Sequence, residues 1–158
     1  MKNVPFNFAR SVLRLSLGDI IWGCRNSIIE WCDAVTFAMH ELNGESDPLL
    51  VELAILDKSE VVEIKELAMK IHDDNPTKRD ISKRNWLIIS LSWAYHERKK
   101  YSDPLGSVEE IYADFDYPSE IAPIVRYMPP VDGYDPSMHS FKENEERLME
   151  KWRKIIEV

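Results

Sequence analysis

Glycine is scarce in this chain, five in 158 residues, which argues against a turn-rich all-β fold and leaves helix as the expected state. Cysteine is scarcer still. Cys24 and Cys32 lie eight apart in apolar helical sequence, a spacing that matches neither a CxxC redox pair nor a zinc knuckle, so both are read as buried thiols. No run of about eighteen uncharged apolar residues occurs, and the N-terminus lacks a basic flank followed by an apolar core and a small-residue cleavage site. A cytoplasmic location and no membrane partner are expected. Positive charge is also in deficit, with 20 Lys and Arg against 28 Asp and Glu, a net charge of −8 and a pI near 5.0. Nucleic acid and anionic membranes need a basic face and are poor partners, whereas a basic protein is favoured.

Catalytic signatures are missing as well. There is no Walker loop, GxGxxG, GxSxG or HExxH, and the four histidines, His40, His72, His96 and His139, fall on four different segments. No catalytic residue, metal ligand or cofactor is assigned, and an enzyme is not expected.

What is present is ordinary globular composition, 44% hydrophobic and 30% charged, in a length that suits one domain. The expected architecture is mainly α: a compact single-domain helical bundle of about six to seven helices over residues 1–158. Residues 4–15 leave strand and helical turn open. Ser16 with Asp19 forms a capping box for a short helix that Gly23 loosens at its end. Asn26 or Ser27 then caps a helix whose Trp31, Val35, Phe37, Met39 and Leu42 are spaced for burial, ended by Asn43-Gly44 in the left-handed way, with His40 at the surface. Asp47-Pro48 opens the next helix, and Ser59 caps another with Val62, Leu67, Ala68 and Ile71 on its apolar side. The basic link 77–84 is a solvated helix start. Residues 85–95, NWLIISLSWAY, form the most continuous apolar run and are expected as the buried central helix, with a buried strand as the alternative. The last segment, 138–158, is a helix with Phe141, Leu148, Met149, Trp152, Ile155 and Ile156 on one side.

The candidate site is residues 107–130, SVEEIYADFDYPSEIAPIVRYMPP, where Ser107 caps a helix, Tyr117-Pro118 stops it, and Pro123 restricts a second short helix. The stretch sets Tyr112, Phe115, Tyr117 and Tyr127 beside five carboxylates, with Arg126 its only base. Rigid amphipathic rings supply contact area at small entropic cost, and carboxylates around them steer a cationic partner. The partner-binding residues are taken as Asp114, Asp116, Tyr117, Glu120, Tyr112 and, just beyond, Tyr134. Packing of a chain reversal onto the core is an equal claim on Tyr112, Phe115 and Tyr127. Asp114 and Asp116 also make a DxD, which leaves a small metal-dependent hydrolase as the alternative function.

The block EEIYADFDYPSEIAPIVRYMP, with LGDIIWGCRN near the start and DPLLVELAILDKSEVVEIKEL in the middle, resembles an uncharacterised bacterial family whose signature is ADFDYP followed by YMP. The resemblance covers nearly the whole chain, and the family is similar to small immunity proteins encoded beside polymorphic toxins. It implies an antitoxin-type protein that neutralises a basic, nuclease-like toxin domain by occlusion, with Tyr112, Asp114, Phe115, Asp116, Tyr117, Pro118, Tyr127 and Pro129 as structural or contact positions.

Overall fold

The computed structural model describes residues 3–157 and contains, among them, eight α-helices, three short 3-10 segments and no strand. The mainly α expectation holds. The one-domain expectation over 1–158 includes Met1, Lys2 and Val158, which lie outside the described residues. By contacts the chain divides into two compact units, one up to Trp86 and the other from Leu87 onward.

The first unit holds α1 (Phe6–Val12), α2 (Leu17–Arg25), α3 (Cys32–Glu41), α4 (Pro48–Ile55), α5 (Val61–Ile71) and the start of α6 (Pro76–His96). Residues that left helix and strand open become α1, with Phe6 and Ala9 buried. The Ser16–Asp19 capping box forms as expected, and Asp19 is itself buried. Its carboxylate also accepts from Asn85 Nδ2 at 3.0 Å, while its carbonyl accepts from Trp86 Nε1 at 2.6 Å. One residue thus ties α2 to α6. Gly23 does not loosen α2: it is buried where a Cβ would sit 2.5 Å from the Trp86 ring, so the missing side chain makes room for the tryptophan.

Ser27 is no N-cap. It takes the left-handed conformation at φ 56° as the residue after the α2 cap, with Ser27 N–H on the Cys24 carbonyl and Ile28 N–H on that of Gly23. This is a Schellman ending, and α3 starts four or five residues later than periodicity suggested. Ile28 and Ile29 reach the core from the connection instead of a helix. Met39 and Leu42 face solvent, His40 is exposed as expected, and α3 ends in an extended Leu42 without a left-handed glycine. Asp47 and Pro48 open α4 as read, Asp47 Oδ1 accepting from Leu49 N–H. Glu60, not Ser59, precedes α5, whose buried side is Ile64 and Ala68 while Val62 points outward. α2, α4 and α5 each pack on α3, and α4 also packs on α5.

Asn75 accepts from Lys78 N–H and Pro76 takes the first helical position, so the basic link and the apolar run form one 21-residue helix. Trp86, Leu87, Ile89, Leu91 and Ala94 are buried on it, as the central-helix reading required.

The second unit continues with α7 (Pro104–Asp114), a 3-10 segment Ser119–Ile124, another at Pro136–Met138, and α8 (Phe141–Ile156). Asp103, not Ser107, caps α7 by accepting from Gly106 N–H, and Ser107 is buried inside the helix. Pro123 lies in the short 3-10 turn, as its missing N–H dictates. Ser140 and Glu143 form a second capping box at α8. Trp152 is fully buried and meets Tyr95 edge-on at 5.2 Å, whereas Phe141, expected inside, is 73% exposed.

Candidate functional site

The ADFDYP block is a helix stop. Phe115 caps α7, Asp116 follows at φ 62°, its N–H bonds the Ala113 carbonyl at 3.1 Å, and Tyr117 N–H bonds that of Tyr112 at 2.8 Å. That is the Schellman pattern again, and its usual apolar contact is present as the Tyr117 ring set edge-on to Tyr112, centroids 5.2 Å apart. Tyr117 is also left-handed, at φ 58°, an uncommon state for a bulky residue. Two successive residues of this kind cost of order 1–3 kcal/mol each unless the surroundings hold them, and here the buried Tyr112 and Phe115 supply the anchorage.

Of the sequence-derived site residues, Asp114, Asp116, Tyr117 and Glu120 lie at the surface. Tyr112 is buried at 5% exposure and supports the ledge from beneath, so its assignment as a contact is corrected. Tyr134 is half-buried and engaged on every side: its hydroxyl donates to Asn144 Oδ1 at 2.7 Å, His139 stacks on it at 4.5 Å, and the Arg147 guanidinium sits over the ring. It belongs to a separate cluster. Tyr127, outside the original set, is as exposed as Tyr117 and leans on Tyr112 at 6.3 Å, where partial desolvation raises its phenol pKa. Of the three rings with an equal claim to packing inward, Tyr112 and Phe115 do so and Tyr127 does not; the rings of Tyr117 and Tyr127 share one buried support.

Charge at this end is largely settled internally. Arg126 forks onto Asp103 at 2.7 Å and Glu109 at 2.7 Å, and its hydrogen bonds hold the Asp103 carboxyl below its ordinary range. Asp132 is gripped by Lys151 and Arg147, both at 2.6 Å, and is likewise pushed down. Beside the ledge, Met128, Pro129, Pro130, Val131, Phe141 and Leu148 line a groove of about 210 Å³. Its outer residues Val131 and Phe141 are exposed, a feature signalled in sequence only by an apolar residue stranded in a polar, turn-rich link.

The first unit has a larger cavity of about 460 Å³ lined by Ser16, Asp19, His72, Asp73, Lys78 and Ser82. Its charged groups already have partners: Asp19 accepts from Ser16 N–H and Asn85, and Lys78 pairs with Asp73 at 3.0 Å. Size therefore does not decide the site. Among the described residues no group of three or more His, Cys, Asp or Glu is placed to hold a metal ion, so Asp114 and Asp116 have no third ligand of these types at hand. Likewise, among the described residues no helix is long and apolar enough to cross a membrane.

An all-helical chain with an exposed tyrosine pair on a braced helix end is the class these features define. The chain matches a family described as an uncharacterized protein conserved in bacteria (DUF2247) over residues 6–158, and it belongs to that family. No curated protein and no solved structure matches it.

Proposed function

We propose that the protein is a binding protein whose ledge, Tyr117 and Tyr127 with Asp114, Asp116 and Glu120 around them, docks a cationic surface of a partner protein. The observation that carries this is the pair of rings, 62% and 61% exposed, fixed against one buried tyrosine. Large exposed rings already held in place give up little entropy on binding, which is what interface anchors need. The chain's acidity adds steering toward basic proteins. In the finer form of the reading, this is a cytoplasmic immunity protein, and its partner is a nuclease-like toxin whose basic cleft it occludes without breaking any bond.

The test takes the product of the neighbouring gene as the probe. Binding is followed by stopped flow, with Asp114, Asp116 and Glu120 replaced together by lysine. Association slows and loses salt sensitivity while dissociation changes less. Unchanged association rejects the ledge, and failure of the neighbouring product to bind at all rejects the immunity form.

A further inference from the structure

The exposed side of α4 and the first turn of α5 carries a second set of unpartnered apolar groups. Val51 and Ile55 stand one turn apart on α4, opposite the buried Leu53, and Ile55 is 77% exposed. Val61 and Val62 open α5, which packs against α4, and Val62 is 64% exposed. Isolated exposed aliphatics are normal on any protein, but four on two neighbouring helices, with Met39 and Leu42 exposed at the end of α3, form a concentration that water disfavours.

The charge around them is one-sided. Residues 39–63 hold seven carboxylates and one lysine, a net −6 in a chain at −8. Asp47, Asp57 and Glu60 serve local turns, but among the described residues no ion pair engages Glu41, Glu45, Glu52 or Glu63. Lys65, farther along α5, is drawn over the Trp31 ring. Apolar groups bordered by uncompensated acid suit an amphipathic helix whose apolar stripe is flanked by lysine and arginine. A second copy of this chain is a poor occupant, because two-fold pairing would set this acidic face against itself.

We propose that the α4–α5 face docks a basic amphipathic helix of a partner protein, independently of the tyrosine ledge. The probe is a synthetic helical peptide with leucine at i, i+3, i+4 and i+7 and lysine elsewhere, compared with a peptide of the same composition in scrambled order. Amide shifts in an NMR titration should concentrate at residues 51–63. Ile55→Ser and Val62→Ser, both on exposed positions that leave the fold intact, should weaken the periodic peptide about tenfold together while sparing the scrambled one. Glu52→Lys with Glu63→Lys should weaken it further at low salt. Equal binding of both peptides, shifts centred on residues 112–127, or a dimer by light scattering that Ile55→Ser makes monomeric would each overturn the proposal.

Discussion

The two units leave polarity unsatisfied in opposite places. In the unit from Leu87, Arg126, Arg147 and Lys151 are committed to Asp103, Glu109 and Asp132, yet the fully buried Trp152 keeps an indole N–H with no hydrogen-bond partner among the described residues. In the unit up to Trp86 the reverse holds. There the equally buried Trp86 donates to the Asp19 carbonyl, while among the described residues no ion pair engages Glu41, Glu45, Glu52 or Glu63. A surface braced by internal ion pairs is pre-organised for docking. One whose charges are free steers strongly but offers no fixed geometry.

The sharpest way to break this comparison is at the two tryptophans. Trp86→Phe removes a buried hydrogen bond and opens space above Gly23, so a loss of about 2–4 kcal/mol in urea unfolding is expected. Trp152→Phe also loses ring volume, but it discards an N–H whose burial without a partner costs about 1–3 kcal/mol, and should therefore lose about 1 kcal/mol or less. Equal losses would mean that the unpaired indole carries no penalty, and the contrast between the cores would vanish.

A smaller effect is expected where the units agree. Both use a Schellman ending with a non-glycine residue in the left-handed region, Ser27 after α2 and Asp116 after α7. Asp116→Gly should raise the thermal midpoint, worth up to about 1 kcal/mol, and Asp116→Val should lower it by more, since a β-branched residue resists positive φ. If Asp116→Gly destabilises instead, the aspartate makes a contact worth more than the strain it carries. Ser27→Gly is the control, because no tyrosine pair depends on it.

These endings also explain what was readable beforehand. The capping box at Ser16 and the Asp-Pro opening of α4 were legible because cap chemistry is local and each involves residues at most three apart. The central apolar run was legible because its length and continuity leave little but burial. Left-handed serine and aspartate were not, since nothing in Asn26-Ser27 or Asp116-Tyr117 announces positive φ the way glycine does, and so Ser27 read as the start of a helix instead of the end of one. At the candidate site, composition singled out the stretch but could not sort its residues into buried and exposed. Whether Tyr112 or Tyr127 goes inside depends on where α7 stops, a fact fixed by backbone hydrogen bonds. The acid-rich face of α4 and α5 was not legible because Val62 follows helical spacing and is expected on the apolar side of its helix, whereas it is exposed.

The mildest contrast is in acid titration. Asp132 lies below its ordinary range because Lys151 and Arg147 bond its carboxylate, so it favours the fold at pH values above its unfolded pKa, about 4. That contribution fades as pH falls through the lower folded value, and Asp132→Asn should cost stability at neutral pH and cost progressively less under acid. Asp33, in the other unit, is shifted upward because burial penalises its charge. Its folded form takes up a proton before the unfolded one, so it disfavours the fold at neutral pH and the penalty lifts as pH falls through the raised value. Asp33→Asn should accordingly be neutral to stabilising at pH 7, provided the asparagine still accepts from Glu30 N–H as Asp33 does at 3.0 Å. Salt separates the causes. At about 1 M ionic strength the screening length drops to about 3 Å, so the Asp132→Asn loss, which comes from exposed ion pairs, should shrink. The Asp33→Asn gain, which comes from desolvation, should persist. Thermal melts of the two variants at both ionic strengths measure this, and parallel salt responses would show that one electrostatic rule governs both units after all.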